Sequence, residues 1–364
     1  MQIKTENIKE RETTMKETTV ANINAVIKNR YEVTALVQAV MCNPNGDPDK
    51  NNTPRRDPIS GFGIITDGAI KSWIRNYILN AYGSAPGMEI LMQNGTSINK
   101  KIAESVLKVN GFERKAPKGF DSGKNQKVTE ATQDMCARFW DVRTFGGVLT
   151  TGLNAGQVKG PVQVAMATSV DPIDPRTITI TRKAYTEGKF LSLDEYEKEE
   201  SERPDDKKRT MGDKSYIPYG LYVIKITISV ALAEKFGFTE DDLSKLFEAL
   251  VQMLDANASS SKMGMGLASP IIIFKHVGTQ PESNADQNEK EARLGCAPAD
   301  KLFGLLDVHK KDGVEKPLSI NDYEIVFNRS KLPRGIEIGL KTMPFEDIQW
   351  GEKALDEWDG VKII

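Results

Sequence analysis

Two kinds of hydrophobic periodicity alternate along the chain, and their order limits the folds that it can adopt. Apolar residues at every second position, or in short β-branched runs, predict strands, whereas spacings of three and four predict helices. In chain order these elements are strand 31–41, a helix that begins at Thr66, strands 162–170 and 220–230, a helix that begins at Thr239, and strand 270–276. This order predicts an α+β fold of the ferredoxin-like, split βαβ kind.

Long segments without strong periodicity flank or separate these elements. Residues 98–137 are basic at their start, and residues 171–218 are charged and poor in aliphatic side chains, so we expect a partly helical insertion and a projecting hairpin. Residues 1–28 are polar and predict a mobile arm before a central domain over 29–276. Residues 277–364 are expected to form a polar loop and a peripheral C-terminal segment.

The cysteines and histidines exclude several classes of site. Cys42, Cys136 and Cys296 are odd in number and far apart, so they predict no disulfide framework, no paired zinc site and a reducing, cytoplasmic location. The two histidines form no HExxH motif, which disfavours a zinc enzyme or a Ser-His-Asp hydrolase. No apolar run approaches the roughly 18 to 20 residues that span a bilayer, and no apolar signal segment begins the chain. We expect neither a membrane-spanning nor an exported protein.

The formal net charge of −2 conceals an uneven distribution. Residues 31–230 hold 27 basic and 24 acidic side chains, but residues 194–206 alone hold 8 acidic and 2 basic ones. The rest of that region is therefore distinctly basic, whereas residues 231–364 hold 16 basic and 23 acidic side chains. A basic region of this size indicates a polyanionic partner, whereas the net charge of the whole chain gives no such indication.

The loop at residues 43–58 (NPNGDPDKNNTPRRDP) concentrates oxygen-bearing side chains. It does not fit a calcium-binding EF-hand, because numbering from Asp47 would require Gly at Asn52 and Glu at Pro58. We therefore interpret its Asp and Asn residues as turn formers that bond to their own backbone. Its arginines, Arg55 and Arg56, have two interpretations, as solvated surface charges or as phosphate contacts.

Two further basic groups also have both a structural explanation and an explanation by ligand contact. Lys71 and Arg75 lie four residues apart on the polar edge of the first helix, with only Asp57 and Asp67 nearby in the sequence to neutralise them. Residues 138–163 combine basic and aromatic residues with several glycines, which allow a backbone to approach a ligand closely. Phe139 and Trp140 could stack on bases, but we favour the alternative in which these aromatic residues are buried and the glycines form turns.

Five separated motifs resemble those of the Cas-seven (Cas7) family, and most closely the type I-C backbone subunit of the CRISPR Cascade complex. The motifs are NPNGDPDKNNTPRRDP, ITDGAIKSWIRNYI, DVRTFGGVLTTGLNAGQVKGPVQVAMATSVDPI, RTMGDKSYIPYGLY, and FKHVG with DKLFGLLDV. They occur in the family's order between Asn29 and Ile338.

The resemblance implies an RRM-like palm with an inserted helical finger lobe at 98–137 and a projecting thumb hairpin at 171–218. It implies a subunit without catalytic activity that binds CRISPR RNA and forms a head-to-tail filament with neighbouring copies along the guide spacer. The thumb would displace a base at regular intervals, and target DNA would pair with the segments between. Other Cascade subunits are expected partners in antiviral defence, and no cofactor or metal is expected.

The family's RNA contacts can be carried onto matching positions of this sequence. Lys71 and Arg75 lie in its basic helix, Arg143 in DVRTFG, and Lys159 and Gln163 beside and within GPVQ. A second group of expected RNA contacts comprises Arg55, Arg56, Arg138, Arg209 and Lys214.

Two other interpretations remain open. Relatives in type III complexes are metal-dependent endoribonucleases that cut target RNA with an acidic residue near the thumb, a role that Asp47, Asp141 or Asp171 could fill with Mg²⁺. A missing His or Lys partner disfavours this alternative. The other is an RRM-like RNA-binding protein that acts alone.

Overall fold

A computed structural model describes residues 24–364 except residues 125, 126, 187 and 357. Most of the predicted mobile arm, residues 1–23, therefore lies outside the described residues. Ile27 is buried in the main core, and the Glu240 N–H donates to the Ala25 carbonyl at 2.9 Å. The folded body thus already includes residues 25–27.

Strands and helices alternate along the described residues. The strands are β1 (Tyr31–Cys42), β2 (Gly46–Asp47), β3 (Thr53–Pro54), β4 (Phe62–Ile65), β5 (Gly146–Val148), β6 (Gln157–Lys159), β7 (Val162–Val164), β8 (Ala167–Pro172), β9 (Arg176–Arg182), β10 (Thr210–Ile228), β11 (Met265–Leu267), β12 (Ile271–His276), β13 (Leu306–Lys310), β14 (Tyr323–Phe327), β15 (Ile336–Lys341), β16 (Gln349–Trp350) and β17 (Lys362–Ile363). The α-helices are α1 (Asp67–Tyr82), α2 (Ile98–Val109), α3 (Val128–Arg138), α4 (Trp140–Phe145), α5 (Leu193–Glu202), α6 (Val230–Phe236), α7 (Glu240–Ala256), α8 (Ala285–Leu294), α9 (Ala299–Phe303) and α10 (Glu352–Asp356).

The two predicted helices begin at side-chain caps. The Thr66 hydroxyl accepts a hydrogen bond from the Ala69 N–H at 3.2 Å, which satisfies a donor in the first turn of α1. Thr239 and Asp242 form a reciprocal capping box at the start of α7. Both helices bury their apolar faces in one core against the sheet.

The centre of the sheet contains β12, β1, β10 and β8, in that order, with each neighbouring pair antiparallel. β1 and β8 are therefore parallel and separated by β10, whereas β10 and β12 are parallel and separated by β1. Beyond this centre β15 and β16 follow β12, and β4 follows β8. The chain has a mixed α+β fold.

Protein covers both faces of this sheet. On one face, alternate residues from Tyr31 to Ala39 pack under α1 and α7. On the other, Leu36 and Leu221 contact Tyr323 and Ile325 of β14. The small sheet β13-β14-β17 therefore forms a third layer.

The C-terminal region differs from the expected polar loop and peripheral tail. Residues 285–294 form helix α8, and Leu302, Phe327 and Trp358 are buried in a second core. The rings of Phe274 in β12 and Phe327 stack with centroids 6.5 Å apart. The region covers the second face of the sheet because its apolar side chains pack against the apolar side chains on that face. None of the helices in the described ranges is long and apolar enough to cross a membrane.

Two lobes extend from the layered body. Helices α2 and α3 pack together around a separate core that includes Ile102, Val106 and Met135. Strand β10 is continuous between the sheet and a hairpin, because its residues 210–216 pair with β9 and its later residues pair with β1. All of β9 is exposed, so this hairpin projects from the body.

Candidate nucleic-acid interface

The DVRTFG and GPVQ motifs meet at the β5-β6 hairpin. Gly146 pairs with Lys159, and the backbone at Gly160 lies against residues 144–146. A Cβ at Gly160 would be 2.3 Å from the Thr144 carbonyl oxygen and 2.5 Å from the Gly146 nitrogen. Glycine is needed here because two parts of the chain approach each other, so the turn interpretation accounts for Gly146 and Gly160 without a ligand.

Three of the predicted contacts face solvent. Lys159 and Gln163 are exposed, and so is Arg56, whose backbone pairs with Gly63 of β4. Among the described residues, the side chains of Arg56 and Lys159 have no ion pair or hydrogen-bond partner. Lys71 is partly buried and donates to Asp67 at 3.0 Å, which lowers the pKa of that carboxyl. Arg56 and Lys159 can therefore bind an anion without losing an internal partner.

Arg75 is held inside the protein. Its Nε donates to Asp141 Oδ2 at 2.9 Å, its guanidinium lies over the Phe145 ring, and its side chain is only 11% exposed. Asp141 also accepts the Leu91 N–H at 2.8 Å and the Met92 N–H at 3.1 Å. The expectation that only Asp57 and Asp67 neutralise the helix cations was wrong, because Asp141 comes from 66 residues away.

Arg143 is equally enclosed. It forms two hydrogen bonds to Asp242, and its Nη1 donates to the carbonyls of Gly87 and Cys136 at 2.6 and 3.3 Å. The pair lines a cavity of 910 Å³ between helix α3 and the start of α7, where Lys245 also pairs with Asp241. Arg143 and Lys245 are therefore already neutralised by carboxylates of their own chain.

Three other predicted contacts also have internal partners. Arg138 bridges Glu89 and Glu104 at 3.2 Å each, and its guanidinium lies over the buried Phe139 ring. Arg55 pairs with Asp47 at 3.3 Å. Lys214 donates to the Ser260 carbonyl at 2.9 Å. Arg209 is exposed beside the projecting hairpin.

Burial of Phe139 and Trp140, both 0% exposed, confirms the structural interpretation of these aromatic residues.

The projecting hairpin has two chemically different faces. Arg176, Ile178, Ile180 and Arg182 alternate on one face of β9, where Ile178 is paired with Lys214 of β10. Threonines occupy the other face at 177, 179 and 181. This cationic and apolar face is not among the expected RNA contacts, although the RTITITR alternation predicts it.

The aspartates of the nuclease alternative lie in separate environments. Asp141 is 1% exposed with its oxygens occupied, and Asp171 lies 3.5 Å from Lys310. Asp47 accepts the Asp49 N–H at 3.3 Å. Within the described ranges no group of three or more His, Cys, Asp or Glu side chains could hold a metal ion.

The loop at residues 43–58 forms the turns that its composition predicts. Asp57 accepts the Ser60 N–H at 2.7 Å, the Ser60 hydroxyl at 2.8 Å and the Ile59 N–H at 3.1 Å, and these bonds lower its pKa. The structural interpretation of Asp57 is confirmed, as is that of Asp47.

Comparison with known proteins identifies the family. The family model described as "CRISPR-associated protein Cas7" matches residues 29–328. A Haloferax volcanii protein of the same description is 34% identical over 122 residues, which are 34% of this chain and 33% of that protein. The match therefore spans about a third of that relative. One solved chain, from a "CRISPR RNA-guided surveillance complex, pre-nicking", has a TM-score of 0.39 and 16% identity, with 74% of this chain and 84% of that one covered. Another, from a "CRISPR RNA-guided surveillance complex", has a TM-score of 0.39 and 13% identity, with 82% and 88% covered. The chain belongs to the Cas7 family of CRISPR-associated proteins.

Proposed function

We propose that this protein is the CRISPR RNA-binding backbone subunit of a type I-C Cascade effector complex. It polymerises head to tail along the guide spacer and presents the guide for pairing with target DNA in antiviral defence. Family membership supports the CRISPR role. The observation that carries RNA binding is the exposure of two cations, Arg56 beside β4 and Lys159 in the β5-β6 hairpin, neither of which has an internal partner within the described residues.

The sheet supports an RRM-like palm. In its central order β12-β1-β10-β8, strands β1 and β8 belong to one strand-helix-strand unit, and β10 and β12 belong to the other. The two strands of each unit are separated by one strand of the other unit. The C-terminal layer occupies the face that an RRM uses for base stacking. RNA would therefore lie along the β4-β8 side, the β5-β6 hairpin and the projecting hairpin, which serves as the thumb.

The available chemistry suits a backbone contact without sequence selectivity. Arg56 and Lys159 provide charge to phosphates. The Gln163 amide donates one N–H to the Gly160 carbonyl at 2.7 Å, and its second N–H can donate to a phosphate or ribose oxygen. Lys71 can join them if it exchanges Asp67 for a phosphate. Arg75 and Arg143 support this surface from inside by fixing α1 and α4. Bases would remain free to pair with a target.

Contacts between neighbouring copies would complete the filament. Helix α5 carries the acidic run of the thumb and buries none of its side chains in its own chain. A basic surface of the next copy, or of another Cascade subunit, is a suitable partner for this helix. The proposal assigns the protein no catalytic residue, cofactor or metal.

The test compares guide binding by wild type and Arg56→Ala/Lys159→Ala as the salt concentration rises. The double variant should lower affinity similarly for unrelated spacer sequences and reduce the salt slope by about 0.7 for each lost phosphate contact. Lys290→Ala is the matched control, because Lys290 is exposed on α8, which packs on the distant β12 side. An unchanged slope in the double variant would refute the assigned contacts, and a wild type that binds no RNA would refute the function.

Gel filtration with a long guide tests assembly. A filament should elute at a size that grows with guide length, whereas a one-to-one complex at every length would favour an RNA-binding protein that acts alone.

A further inference from the structure

The guanidinium of Arg75 is fixed inside the protein at one end and reaches solvent at the other. Its Nε donates to Asp141 Oδ2 at 2.9 Å, and its central carbon lies 5.2 Å from the centroid of the Phe145 ring. Its Nη1 and Nη2 atoms form no hydrogen bond with a described residue, and neither atom is completely buried. The exposed 11% of this side chain therefore includes its two terminal donor groups.

The Asp141 carboxylate is held in place without the help of Arg75. It is 1% exposed, and its Oδ1 accepts the Leu91 N–H at 2.8 Å while its Oδ2 accepts the Met92 N–H at 3.1 Å. Both donors belong to the segment between α1 and α2, so the carboxylate joins that segment to α4. Asp141 and the Phe145 ring therefore form a fixed seat that sets the plane of the guanidinium.

The open end of Arg75 lies beside the surface proposed for RNA. Lys71 precedes Arg75 by four residues on α1, and residues at this spacing share a helix face. Phe145, which lies under the guanidinium, directly precedes the β5-β6 hairpin that contains Lys159. Helix α1 also contacts β7, the strand that contains Gln163. The exposed donors of Arg75 thus lie between α1 and this hairpin.

We propose that Asp141 is a positioning residue for guide binding, which orients Arg75 so that both Nη groups donate to one phosphate of the guide. The inference rests on the proposed function, because it presupposes RNA binding. Two donors on one planar guanidinium match two phosphate oxygens, and a guanidinium that is already fixed loses little conformational freedom on binding. A buried carboxylate thereby promotes binding to a polyanion that it does not touch.

The test measures the guide affinity of Asp141→Asn at several salt concentrations. Asn lacks one of the two acceptor oxygens that hold Arg75 and the two backbone N–H groups, so the guanidinium loses its fixed orientation. The positioning role predicts roughly tenfold weaker binding and a salt slope smaller by about 0.7. Charge alone predicts tighter binding, because the variant removes a negative charge near a polyanion.

Arg75→Lys separates orientation from charge and from folding. Lysine keeps a cation beside Asp141, so the buried carboxylate stays paired, but its ammonium has no planar pair of donors. This variant should fold and should also bind roughly tenfold more weakly. Arg75→Gln/Asp141→Asn should bind no more weakly than Arg75→Gln, because Asp141 acts through Arg75.

Glu234→Gln is the matched control. It changes the net charge equally and removes a carboxylate from Arg293 of α8, which packs on the distant β12 side, so affinity and slope should match wild type. Unchanged or tighter binding by Asp141→Asn that is folded in thermal unfolding, or wild-type binding by Arg75→Lys, would overturn the positioning role. Either result would leave the contacts of Arg56 and Lys159 intact, whereas a wild type that binds no RNA would overturn both proposals.

Discussion

Arg143 and Asp242 lie 99 residues apart in the sequence and are joined by two parallel hydrogen bonds, from Nε to Oδ2 at 2.9 Å and from Nη2 to Oδ1 at 2.7 Å. Asp242 also accepts the Thr239 N–H at 3.0 Å, within the capping box of α7. The DVRTFG motif is therefore connected to the start of the second core helix. The charge of Arg143 and its position in a motif predict an RNA contact. Its two hydrogen bonds to Asp242 instead connect two parts of the same chain.

Arg143→Ala should reduce the free energy of unfolding by about 3–5 kcal/mol, because it leaves the buried Asp242 carboxylate unpaired. Urea unfolding measures the change, and Arg56→Ala is the control because its side chain is exposed. Arg143→Met/Asp242→Leu should recover part of the loss, because it removes both charges but also removes the Asp242 acceptor of the capping box. Wild-type stability of Arg143→Ala combined with weak RNA binding would instead identify Arg143 as a direct contact.

Gly160→Ala should destabilise the protein by about 1–3 kcal/mol, because its Cβ would clash with backbone atoms of residues 144–146. Gly147→Ala is the matched control on the same hairpin. A Cβ at Gly147 would meet only Leu149 Cδ2, at 3.5 Å, so its stability should stay within about 0.5 kcal/mol of wild type. Thermal unfolding distinguishes the two variants, and equal stabilities would disprove the assigned role of Gly160.

Ile178→Ser/Ile180→Ser should weaken guide binding without altering the fold, if the cationic and apolar face of the thumb meets RNA. Both side chains are nearly half exposed, so the unfolding free energy should change by no more than about 0.5 kcal/mol per site. Thr179→Ala/Thr181→Ala on the opposite face is the control and should bind like wild type. Weaker binding by the threonine variant alone would assign RNA to the other face.

Glu291 should give the protein a pH-dependent contribution to stability. The Thr279 hydroxyl and N–H donate to its carboxylate at 2.6 and 2.8 Å, and these bonds lower its pKa from 4.5 to about 2. Because the folded pKa is lower than the unfolded one, the contribution is complete above about 4.5 and is lost as the pH falls towards 2. Glu291→Gln should therefore melt below wild type near neutral pH, and the difference should shrink on acidification. A difference that is constant with pH would exclude this carboxylate as the cause.

The six predicted elements of the central sheet and its two helices, and the burial of Phe139 and Trp140, were predictable because local periodicity and residue type determine them. Their bounds were less accurate: the predicted strand 162–170 is divided into β7 and β8, and β10 begins at Thr210 and ends at Ile228, before helix α6.

The internal pairs of Arg75 and Arg143 were not predictable. Their carboxylates lie 66 and 99 residues away, and counting charges in a sequence window cannot identify a partner that only the tertiary fold brings into contact. The roles of the exposed cations remain predictions.

The C-terminal layer could not be predicted for a different reason. Leu302, Phe327 and Trp358 are separated by polar residues and follow no single period. Each becomes part of a core only when the second face of the sheet is already in place.

The continuity of β10 has a mechanical consequence. At about 3.3 Å per residue, its 19 residues form a strand about 60 Å long that is hydrogen-bonded in the thumb at one end and in the main sheet at the other. Changing the angle of the projecting hairpin relative to the main sheet would therefore require β10 to bend or ladder hydrogen bonds to break. In the proposed filament, each copy of the chain would hold this hairpin at the same angle to its own sheet.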